Sequence, residues 1–333
     1  MTAKVRIAIN GFGRIGRVFT RYLLEESNLE LVAINDLTDS GTLAHLLKYD
    51  SVHGRFPGEV VAGEKSIAIN GRKIQVLAEK DPSKLPWGQM NVDIVIESTG
   101  HFTSMDGAMK HIAAGAKKVI ISAPAKTDDV KTVVLGINDH LLDGTEKVIS
   151  NASCTTNCAS PMIKIIHDLC EVESCYVSTV HSYTGDQRLH DAPHSDLRRS
   201  RAAALSIIPT TTGAAKAITR IFPELEGKVG GCGIRVPVPD GSLTDITFIV
   251  KKPISVDAIN KAFYDQSKAE LKGILEYTED PVVSVDCIGN KHSCVFDAQL
   301  TSVIGNMVKI VGWYDNEGGY SARLVDLVKK ISA

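Results

Sequence analysis

A glycine-rich turn near the start of the chain constrains its fold more than any other feature. The turn, Gly11-Phe12-Gly13-Arg14-Ile15-Gly16, follows a strand predicted at Val5–Ile9 and opens a helix predicted at Arg14–Glu26. Its three glycines permit a tight turn, the approach of a pyrophosphate to the backbone, and close packing of helix on strand. Asp36 ends the second predicted strand, where a carboxylate accepts hydrogen bonds from ribose hydroxyls and repels a 2′-phosphate. The spacing predicts a Rossmann-type, doubly wound domain that binds NAD in preference to NADP.

Length, charge and cysteine count narrow the class of protein further. The 333 residues suggest about two domains, and 37 Lys and Arg against 39 Asp and Glu (37 − 39 = −2) disfavour broad binding to nucleic acid or to a membrane. The chain starts without a secretory signal pattern, and no apolar run approaches the ~18 residues of a membrane span. Seven cysteines, an odd number, do not look like a disulfide framework and fit a reducing compartment. We therefore expect a cytoplasmic protein.

The order of the predicted elements separates two kinds of domain. In the first part, strands alternate with helices, which is typical of a parallel sheet, and a hairpin is predicted around Asn70-Gly71. The further strands predicted there are Glu30–Ile34, 92–97, 118–123, 132–137 and 147–151. In the second part, runs of strands predict an α+β domain with a mixed or antiparallel sheet. Its predicted strands are 174–182, 233–238, 243–252, 293–303 and 307–315, with helices near 155–169 and 255–270 and a last helix at Gly319–Ile331.

The segment 150–158 (SNASCTTNC) places a cysteine where a strand gives way to a helix. Cys154 would lie at or near the helix N-terminus, a position that stabilises a thiolate, although an inert buried thiol is the alternative. Cys158 lies one turn later, and we interpret it as a packing residue. A metal site at this pair would need two further ligands at suitable spacing, which the sequence lacks. No metal is expected.

Several polar residues of the second part could act on an anion. His181 ends a β-like segment, where a core residue and a catalyst are both reasonable interpretations. The Arg-rich loop at about 183–206 and the following Thr210-Thr211-Thr212-Gly213 offer guanidinium, hydroxyl and N–H donors, although a solvated basic loop is an equal alternative. Arg235 interrupts an apolar strand and should meet a carboxylate or an anionic ligand. The turn 314–320 could hold a side-chain amide or simply cap a helix.

Taken together, these motifs resemble the phosphorylating glyceraldehyde-3-phosphate dehydrogenase family over nearly the whole chain. The matching segments are NGFGRIGR at 10–17, SNASCTTNC at 150–158, HSYTGDQR at 181–188, LRRSRAA at 197–203, IIPTTTGAAKA at 207–217, RVPVP at 235–239 and YDNEGGYS at 314–321. The resemblance implies that Cys154 attacks the aldehyde of glyceraldehyde 3-phosphate and that His181 is its general base and thiolate partner. Hydride transfer to NAD would leave a thioester, which inorganic phosphate converts to 1,3-bisphosphoglycerate.

The resemblance also implies roles for further residues. The substrate phosphate would be held by Thr184 and Arg235. The inorganic-phosphate site would comprise Ser153, Thr155, Arg199, Thr212 and Gly213. The cofactor contacts would include the glycine turn with the backbone of Arg14 and Ile15, Asp36 on the adenosine ribose, Lys80, Ser122, and Asn316 on the carboxamide.

The family pattern predicts domains of 1–153 with 317–333 for NAD and 154–316 for catalysis. The S-shaped loop at about 183–206 would reach a neighbour's cofactor site in a homotetramer. Two positions depart from the commoner pattern. Gly318 stands where many relatives carry a bulky residue, and the backbone freedom of glycine could loosen Asn316. Ala192-Pro193 replaces the Leu-Pro usual in strictly NAD-dependent relatives, which leaves NADP as a second candidate cofactor.

Three other functions compete with this interpretation. Erythrose-4-phosphate dehydrogenase shares the scaffold, but its relatives usually lack the Thr184 pattern. Aspartate-semialdehyde dehydrogenase would need a carboxylate site. An NAD-binding or RNA-binding protein without a major catalytic role is disfavoured by the intact Cys154 and His181 and by the near-neutral charge.

Overall fold

A computed structural model describes residues 4–332, which divide into two compact units. Within those residues, unit 1 comprises 4–133, 140–152 and 321–332, and unit 2 comprises 134–139 and 153–320. Residues 134–139 thus belong to unit 2, whereas the boundaries predicted from the sequence keep them in the first domain. Within residues 4–332, no helix is both long and apolar enough to span a membrane.

Unit 1 is built on one nine-stranded sheet. Its elements are β1 (Val5–Asn10), α1 (Arg14–Leu23), β2 (Leu29–Asn35), α2 (Ser40–Lys48), β3 (Val60–Gly63), β4 (Ser66–Ile69), β5 (Arg72–Leu77), β6 (Ile94–Glu97), α3 (Met105–Ala113), β7 (Lys118–Ile121), β8 (Lys131–Thr132) and β9 (Val148–Ser150). The strand order is β3-β4-β5-β2-β1-β6-β7-β9-β8. The chain moves from β1 outward to β2 and later returns to add β6 on the other side of β1. This reversal is the switch point at which doubly wound sheets bind ligands.

The strands of unit 1 form where apolar β-branched residues cluster. Ile7, Ile9, Ile34 and Val95 are wholly buried, as expected for strands that are covered on both faces of a parallel sheet. The β4–β5 hairpin confirms the Asn-Gly turn, because Asn70 and Gly71 both have positive φ, at 49° and 76°.

The strand predicted at 132–137 is wrong, since only Lys131–Thr132 forms a short strand there. The apolar run is interrupted by turns. Gly136 has a φ of +77°, and the side chain of Asn138 accepts a hydrogen bond from the Val134 N–H at 2.8 Å. Side chain-to-backbone bonds of this kind compete with strand pairing.

Unit 2 contains a mixed eight-stranded sheet. Its elements are α4 (Cys154–Cys170), β10 (Val172–Ser182), β11 (Ile208–Thr210), α5 (Ala214–Ile221), β12 (Val229–Val236), β13 (Ser242–Val250), α6 (Val256–Lys268), β14 (Leu275–Thr278), β15 (Cys294–Asp297), β16 (Ser302–Ile304) and β17 (Met307–Tyr314). The order is β11-β12-β10-β13-β17-β15-β14, with β16 on β17, and only the β10–β12 and β14–β15 pairs are parallel. The predicted strand 293–303 is divided into β15 and β16 by a 3₁₀ turn.

Helix α4 packs against β10, β13 and β17, and this packing places its N-terminus near the end of β10. The last helix, α7 (Gly318–Ser332), starts in unit 2 and belongs to unit 1 from residue 321 onward. The predicted fold class, a Rossmann-type doubly wound domain plus an α+β domain with a mixed sheet, is confirmed.

Candidate active site

Cys154 is the first residue of α4, and Ser153 is the N-cap. Ser153 Oγ accepts a hydrogen bond from the Thr156 N–H at 3.0 Å, which fixes the first turn of the helix. This local geometry places the Cys154 sulfur at the positive end of the helix dipole. Cys158, one turn later, is wholly buried, as expected for a packing residue.

His181 lies next to the end of β10 and faces the cysteine. Its Nε2 atom is 3.4 Å from Cys154 Sγ, so the structure brings together the two residues expected to be catalytic. On the other side of the ring, His181 Nδ1 lies 2.8 Å from the Ser182 carbonyl oxygen and 2.7 Å from Arg235 Nη1. Arg235 reaches the ring because β10 and β12 are parallel neighbours that pair His181 with Arg235.

The two partners of His181 Nδ1 require different protonation states of that atom. The Ser182 carbonyl oxygen accepts, so it favours a proton on Nδ1, whereas the Arg235 N–H donates and favours a bare Nδ1. Arg235 Nη1 also donates to the Ser182 carbonyl oxygen at 3.0 Å, which gives the guanidinium an alternative acceptor beside the ring. The position of the imidazole proton therefore depends on where Arg235 donates.

Burial dominates the titration of both groups. Desolvation raises the pKa of the Cys154 thiol to about 11, although the Arg235 cation and the Thr155 N–H act in the opposite direction. Desolvation and, as a smaller cause, the positive charge of Arg235 together lower the pKa of His181 to about 3. At neutral pH this arrangement holds a thiol beside a neutral imidazole.

Tyr314, at the end of β17, is a site residue that the sequence interpretation missed. Its hydroxyl lies 2.9 Å from Thr155 Oγ1 and 2.9 Å from Thr179 Oγ1, and its ring meets the His181 ring edge to face at a centroid distance of 6.0 Å. The side chain is 1% exposed. The hydroxyl of Thr155, a residue expected at the inorganic-phosphate site, is therefore within hydrogen-bond distance of the Tyr314 hydroxyl. A signal was present, since Tyr314 ends an apolar strand directly before Asp315-Asn316.

Arg199 and its neighbours form a polar cluster whose charges act on Arg235. Arg199 Nη1 pairs with Asp186 Oδ2 at 2.8 Å, and its Nε donates to Thr210 Oγ1 at 3.0 Å. Thr184 Oγ1 donates to the same Asp186 carboxylate. Asp186 thus joins residues expected in two different anion sites, and it also attracts the Arg235 charge.

Thr212 and Gly213 form the start of α5. Thr212 Oγ1 accepts a hydrogen bond from the Ala214 N–H at 3.2 Å. Gly213 occupies the N-cap, and no atom lies within 4 Å of the place where a Cβ would stand. Helix α5 packs on α4, the helix that carries Ser153 and Thr155 at its start.

Asn316 is held in one orientation by two buried hydroxyls. Ser182 Oγ donates to Asn316 Oδ1 at 2.9 Å, and Ser242 Oγ donates to the same oxygen at 2.6 Å. The amide oxygen thus accepts both hydrogen bonds, which fixes the orientation of the amide and leaves its NH₂ group as the donor. The Asp315 carboxylate secures the turn by accepting from the Gly318 N–H at 2.6 Å, so Gly318 is anchored through its backbone.

The glycine turn of unit 1 has the features of a dinucleotide cradle. Gly11 has a φ of +91°, and a Cβ there would lie 2.8 Å from the Ser98 carbonyl carbon. A Cβ on Gly16 would lie 2.5 Å from the Gly11 carbonyl oxygen, whereas the space beside Gly13 is open for at least 4 Å. Only glycine fits the first and third positions, and the second leaves room for a ligand to approach the backbone.

A cavity of about 370 Å³ lies at the switch point of the unit 1 sheet. Asp36 stands on its wall, with Oδ2 accepting from the Phe12 N–H at 2.8 Å and Oδ1 accepting from the Thr38 N–H at 2.9 Å. A carboxylate has lone pairs to spare for ribose hydroxyls beyond these two bonds. The lining residues are Asn10, Gly11, Gly13, Asn35, Asp36, Leu37, Glu79, Lys80, Ser98, Thr99, His101 and Phe102.

Among the other expected cofactor contacts, Lys80 lines the cavity, whereas Ser122 does not. Arg14 and Ile15 begin α1, and the Arg14 side chain pairs with Asp50 at 2.7 Å. The Arg14 guanidinium is thus engaged by Asp50. The residues of unit 1 therefore fit NAD.

Comparison with known proteins relates both parts of the chain to the same family. Residues 5–105 match the model described as "Glyceraldehyde 3-phosphate dehydrogenase, NAD binding domain", and residues 153–316 match "Glyceraldehyde 3-phosphate dehydrogenase, C-terminal domain". The glyceraldehyde-3-phosphate dehydrogenase of Mycobacterium avium is 54% identical over 331 residues, which cover 97% of each chain. The protein of the same name from Geobacillus stearothermophilus is 54% identical, with 99% of this chain and 98% of the relative covered.

Proposed function

Because the chain belongs to the glyceraldehyde-3-phosphate dehydrogenase family of NAD-dependent enzymes, we propose that it oxidises glyceraldehyde 3-phosphate to 1,3-bisphosphoglycerate with inorganic phosphate as co-substrate. The reaction belongs to glycolysis and gluconeogenesis. The observation that carries the proposal is the contact of 3.4 Å between Cys154 Sγ and His181 Nε2 at the start of α4. NAD, when bound, accepts the hydride from the substrate carbon.

Cys154 and His181 share the proton transfers. His181 Nε2 accepts the thiol proton as the sulfur bonds to the aldehyde carbon, and the proton passes to the aldehyde oxygen, giving a thiohemiacetal. His181 takes that hydroxyl proton back as the carbon loses hydride and becomes a thioester. A phosphate oxygen then attacks the thioester carbon, the C–S bond breaks, and His181 returns its proton to the sulfur. Because burial holds the pKa of His181 at about 3, its imidazole is neutral at pH 7, and the neutral ring is the form that can accept the first proton.

For Nε2 to act as a base, the imidazole proton must reside on Nδ1. The Ser182 carbonyl oxygen, 2.8 Å away, is the acceptor for that N–H. Arg235 must then donate away from Nδ1, and the phosphate of the substrate is a stronger acceptor for its guanidinium. Substrate binding at Arg235 would thus favour the catalytic tautomer of His181.

Two anions are assigned to different donors. We assign the substrate phosphate to Thr184 and Arg235. We assign the inorganic phosphate to the starts of α4 and α5, where two helix N-termini and an arginine supply donors. The residues of this second site are Ser153, Thr155, Arg199, Thr212 and Gly213.

NAD is assigned to the glycine turn and the adjacent cavity. Gly11, Gly13, Gly16 and the backbone of Arg14 and Ile15 would receive the pyrophosphate at the start of α1. Asp36 would bind the adenosine ribose. The further contacts would be Lys80, Ser122 and Asn316, whose amide NH₂ would donate to the nicotinamide carboxamide. Asp36 favours NAD over NADP because a 2′-phosphate would meet its charge.

The remaining features are proposed on family grounds: the NAD domain of 1–153 with 317–333, the catalytic domain of 154–316, a cytoplasmic location and a homotetramer. The exposure of Leu189, Leu197 and Leu205 on the loop at about 183–206, at 74%, 81% and 83%, supports its contact with a second copy.

The proposal is tested by following NADH absorbance. Glyceraldehyde 3-phosphate and erythrose 4-phosphate are each supplied with NAD or NADP, with and without inorganic phosphate or arsenate. We expect NADH formation from the triose phosphate to require phosphate or arsenate. Phosphate-independent oxidation that favours erythrose 4-phosphate would overturn the assignment. The Cys154→Ser variant should form no acyl-enzyme, and its retained acylation would contradict the role of the thiol.

A further inference from the structure

A buried polar network lies in unit 1 and takes no part in the proposed chemistry. Its side chains belong to Asn10 at the end of β1, Glu97 at the end of β6, His111 on α3, and Trp87 in the segment before β6. None of these four residues is more than 1% exposed. Buried polar groups are costly unless each finds a partner, so the partners define what the network does.

The hydrogen bonds of the network run in one direction. Trp87 Nε1 can only donate, and it lies 3.0 Å from His111 Nδ1, so Nδ1 must accept. His111 therefore carries its proton on Nε2, which donates to Glu97 Oε2 at 3.0 Å. A second proton on His111 would place an N–H against the indole N–H. The fold thus holds His111 as a neutral donor to a carboxylate.

Glu97 accepts two hydrogen bonds on each carboxylate oxygen. Oε2 accepts from His111 and from Asn10 Nδ2, the latter at 2.6 Å, while Oε1 accepts from the N–H of Thr99 at 2.9 Å and from its hydroxyl. All four donors are neutral. The buried carboxylate is stabilised by oriented dipoles, which requires each donor to stay in place.

The network ends on the wall of the cavity at the switch point. Asn10 Oδ1 accepts from Asn35 Nδ2 at 2.7 Å, and Asn35 Oδ1 accepts from the Glu79 N–H at 2.9 Å. Asn10, Asn35, Glu79 and Thr99 all line the cavity. The ends of β1, β2 and β6 and the segment after β5 are thereby joined through one carboxylate.

We propose that Glu97, oriented by His111 and Trp87, is a positioning residue of the NAD site. Apolar side chains could fill the same interior without the cost of burying a charge. The carboxylate instead fixes the orientation of the Asn10 amide and the Thr99 hydroxyl at the cavity, and through Asn10 it fixes the orientation of the Asn35 amide. This inference rests on the proposed function only in taking the cavity as part of the NAD site.

The first test is Glu97→Gln, measured by calorimetric titration with NAD. Glutamine offers one oxygen and one NH₂, so in either orientation two of the four donors face another donor. We expect the Kd for NAD to rise about tenfold, with kcat at saturating NAD within about twofold of wild type. A purely structural role would lower the unfolding temperature and leave the Kd unchanged below it.

The second test is Trp87→Phe, which keeps an aromatic ring and removes only the indole donor. His111 is faced by Trp87, Glu97, Asn10 and the edge of the Phe102 ring, and Glu97 is the titratable member of that set. Without the indole N–H, the His111 proton can move to Nδ1, which leaves a bare Nε2 facing Glu97 Oε2. We expect the Kd for NAD to rise about tenfold in Trp87→Phe at constant pH.

Trp313→Phe is the matched control. Trp313 Nε1 donates to Asp297 Oδ2 at 3.0 Å in unit 2, so this variant loses the same kind of bond elsewhere. Its Kd for NAD should equal that of the wild-type protein, and ¹⁵N NMR should show loss of the single Nε2–H tautomer of His111 in Trp87→Phe alone. An unchanged Kd in folded Glu97→Gln or in folded Trp87→Phe would overturn the positioning role. Failure of the wild-type protein to bind NAD would instead refute the proposed function.

Discussion

Replacing Arg235 by leucine tests how the positive charge beside His181 controls the imidazole. In the structure, Arg235 Nη1 lies 2.7 Å from His181 Nδ1, and both burial and this charge lower the pKa of the ring. Leucine keeps an apolar stem on β12 and removes the charge. The pKa of His181 should therefore rise.

The size of the rise follows from the causes of the lowering. The pKa falls from an ordinary value near 6.5 to about 3, a drop of about 3.5 to which burial contributes more than Arg235. Because Arg235 is the smaller of these two causes, its removal should restore less than half of the drop, roughly 1 in the pKa or about 1.4 kcal/mol. This stays below the ~4 kcal/mol expected for two charges 4 Å apart near a protein surface. The pKa of Cys154 should rise as well, because Arg235 acts to lower it.

The assay is NMR titration of the His181 ring in the wild-type and Arg235→Leu proteins, with His181→Asn used to assign its signal among ten histidines. Alkylation of Cys154 at alkaline pH provides the second measurement and should slow in the leucine variant. Arg235→Lys keeps a charge and serves as the control, with a smaller rise in the histidine pKa. A His181 pKa that is unchanged or lower in Arg235→Leu would refute the reasoning.

Four further variants test other contacts. Ser153→Ala removes the N-cap of α4 and should lower the free energy of unfolding by about 1 kcal/mol in urea, and an unchanged value would contradict the cap. Tyr314→Phe leaves two buried threonine hydroxyls short of a partner and should cost about 1–3 kcal/mol by the same measurement, with no loss as the contrary outcome. Burial and the Asp315 charge raise the pKa of Asp240 to about 9, so the contribution of Asp240 to stability should fall as pH rises from about 4 to 9. Asp240→Asn should remove that fall in thermal unfolding, and parallel pH profiles would oppose it. Gly16→Ala should weaken NAD binding at least about tenfold by titration, since its Cβ would meet the Gly11 carbonyl oxygen, and unaltered affinity would speak against the cradle.

Local conformational requirements made parts of the fold predictable from the sequence. The glycine turn and the Asn70-Gly71 hairpin depend on backbone angles that few other residues adopt, so the residue types themselves indicate the structure. The segment 132–137 shows the opposite case. Its apolar run resembles a strand, but Asn138 binds the Val134 N–H and turns the backbone, a competition that hydrophobic pattern alone does not reveal.

The candidate site depended on long-range register, which a single sequence does not display. Arg235 was expected to meet a carboxylate or an anion, and it meets the His181 ring because β10 and β12 pair in parallel at that position. The contact between Thr155 and Tyr314 joins residues 159 positions apart. Cys154 and His181 could be selected as candidates from their motifs, but their 3.4 Å separation follows only from the packing of α4 on β10.

The path of α7 has a consequence for how the chain is made. Leu324, Leu327 and Val328 are wholly buried in unit 1, and Lys118 Nζ donates to the Ile331 carbonyl oxygen at 3.2 Å. The earlier segments of unit 1 therefore leave the ribosome without one of the helices of that unit, which follows only after unit 2 has been synthesised. Premature termination anywhere before this helix would leave the apolar surface of the amino-terminal unit open, so quality control of nascent chains should act on truncated products as strongly as on misfolded ones.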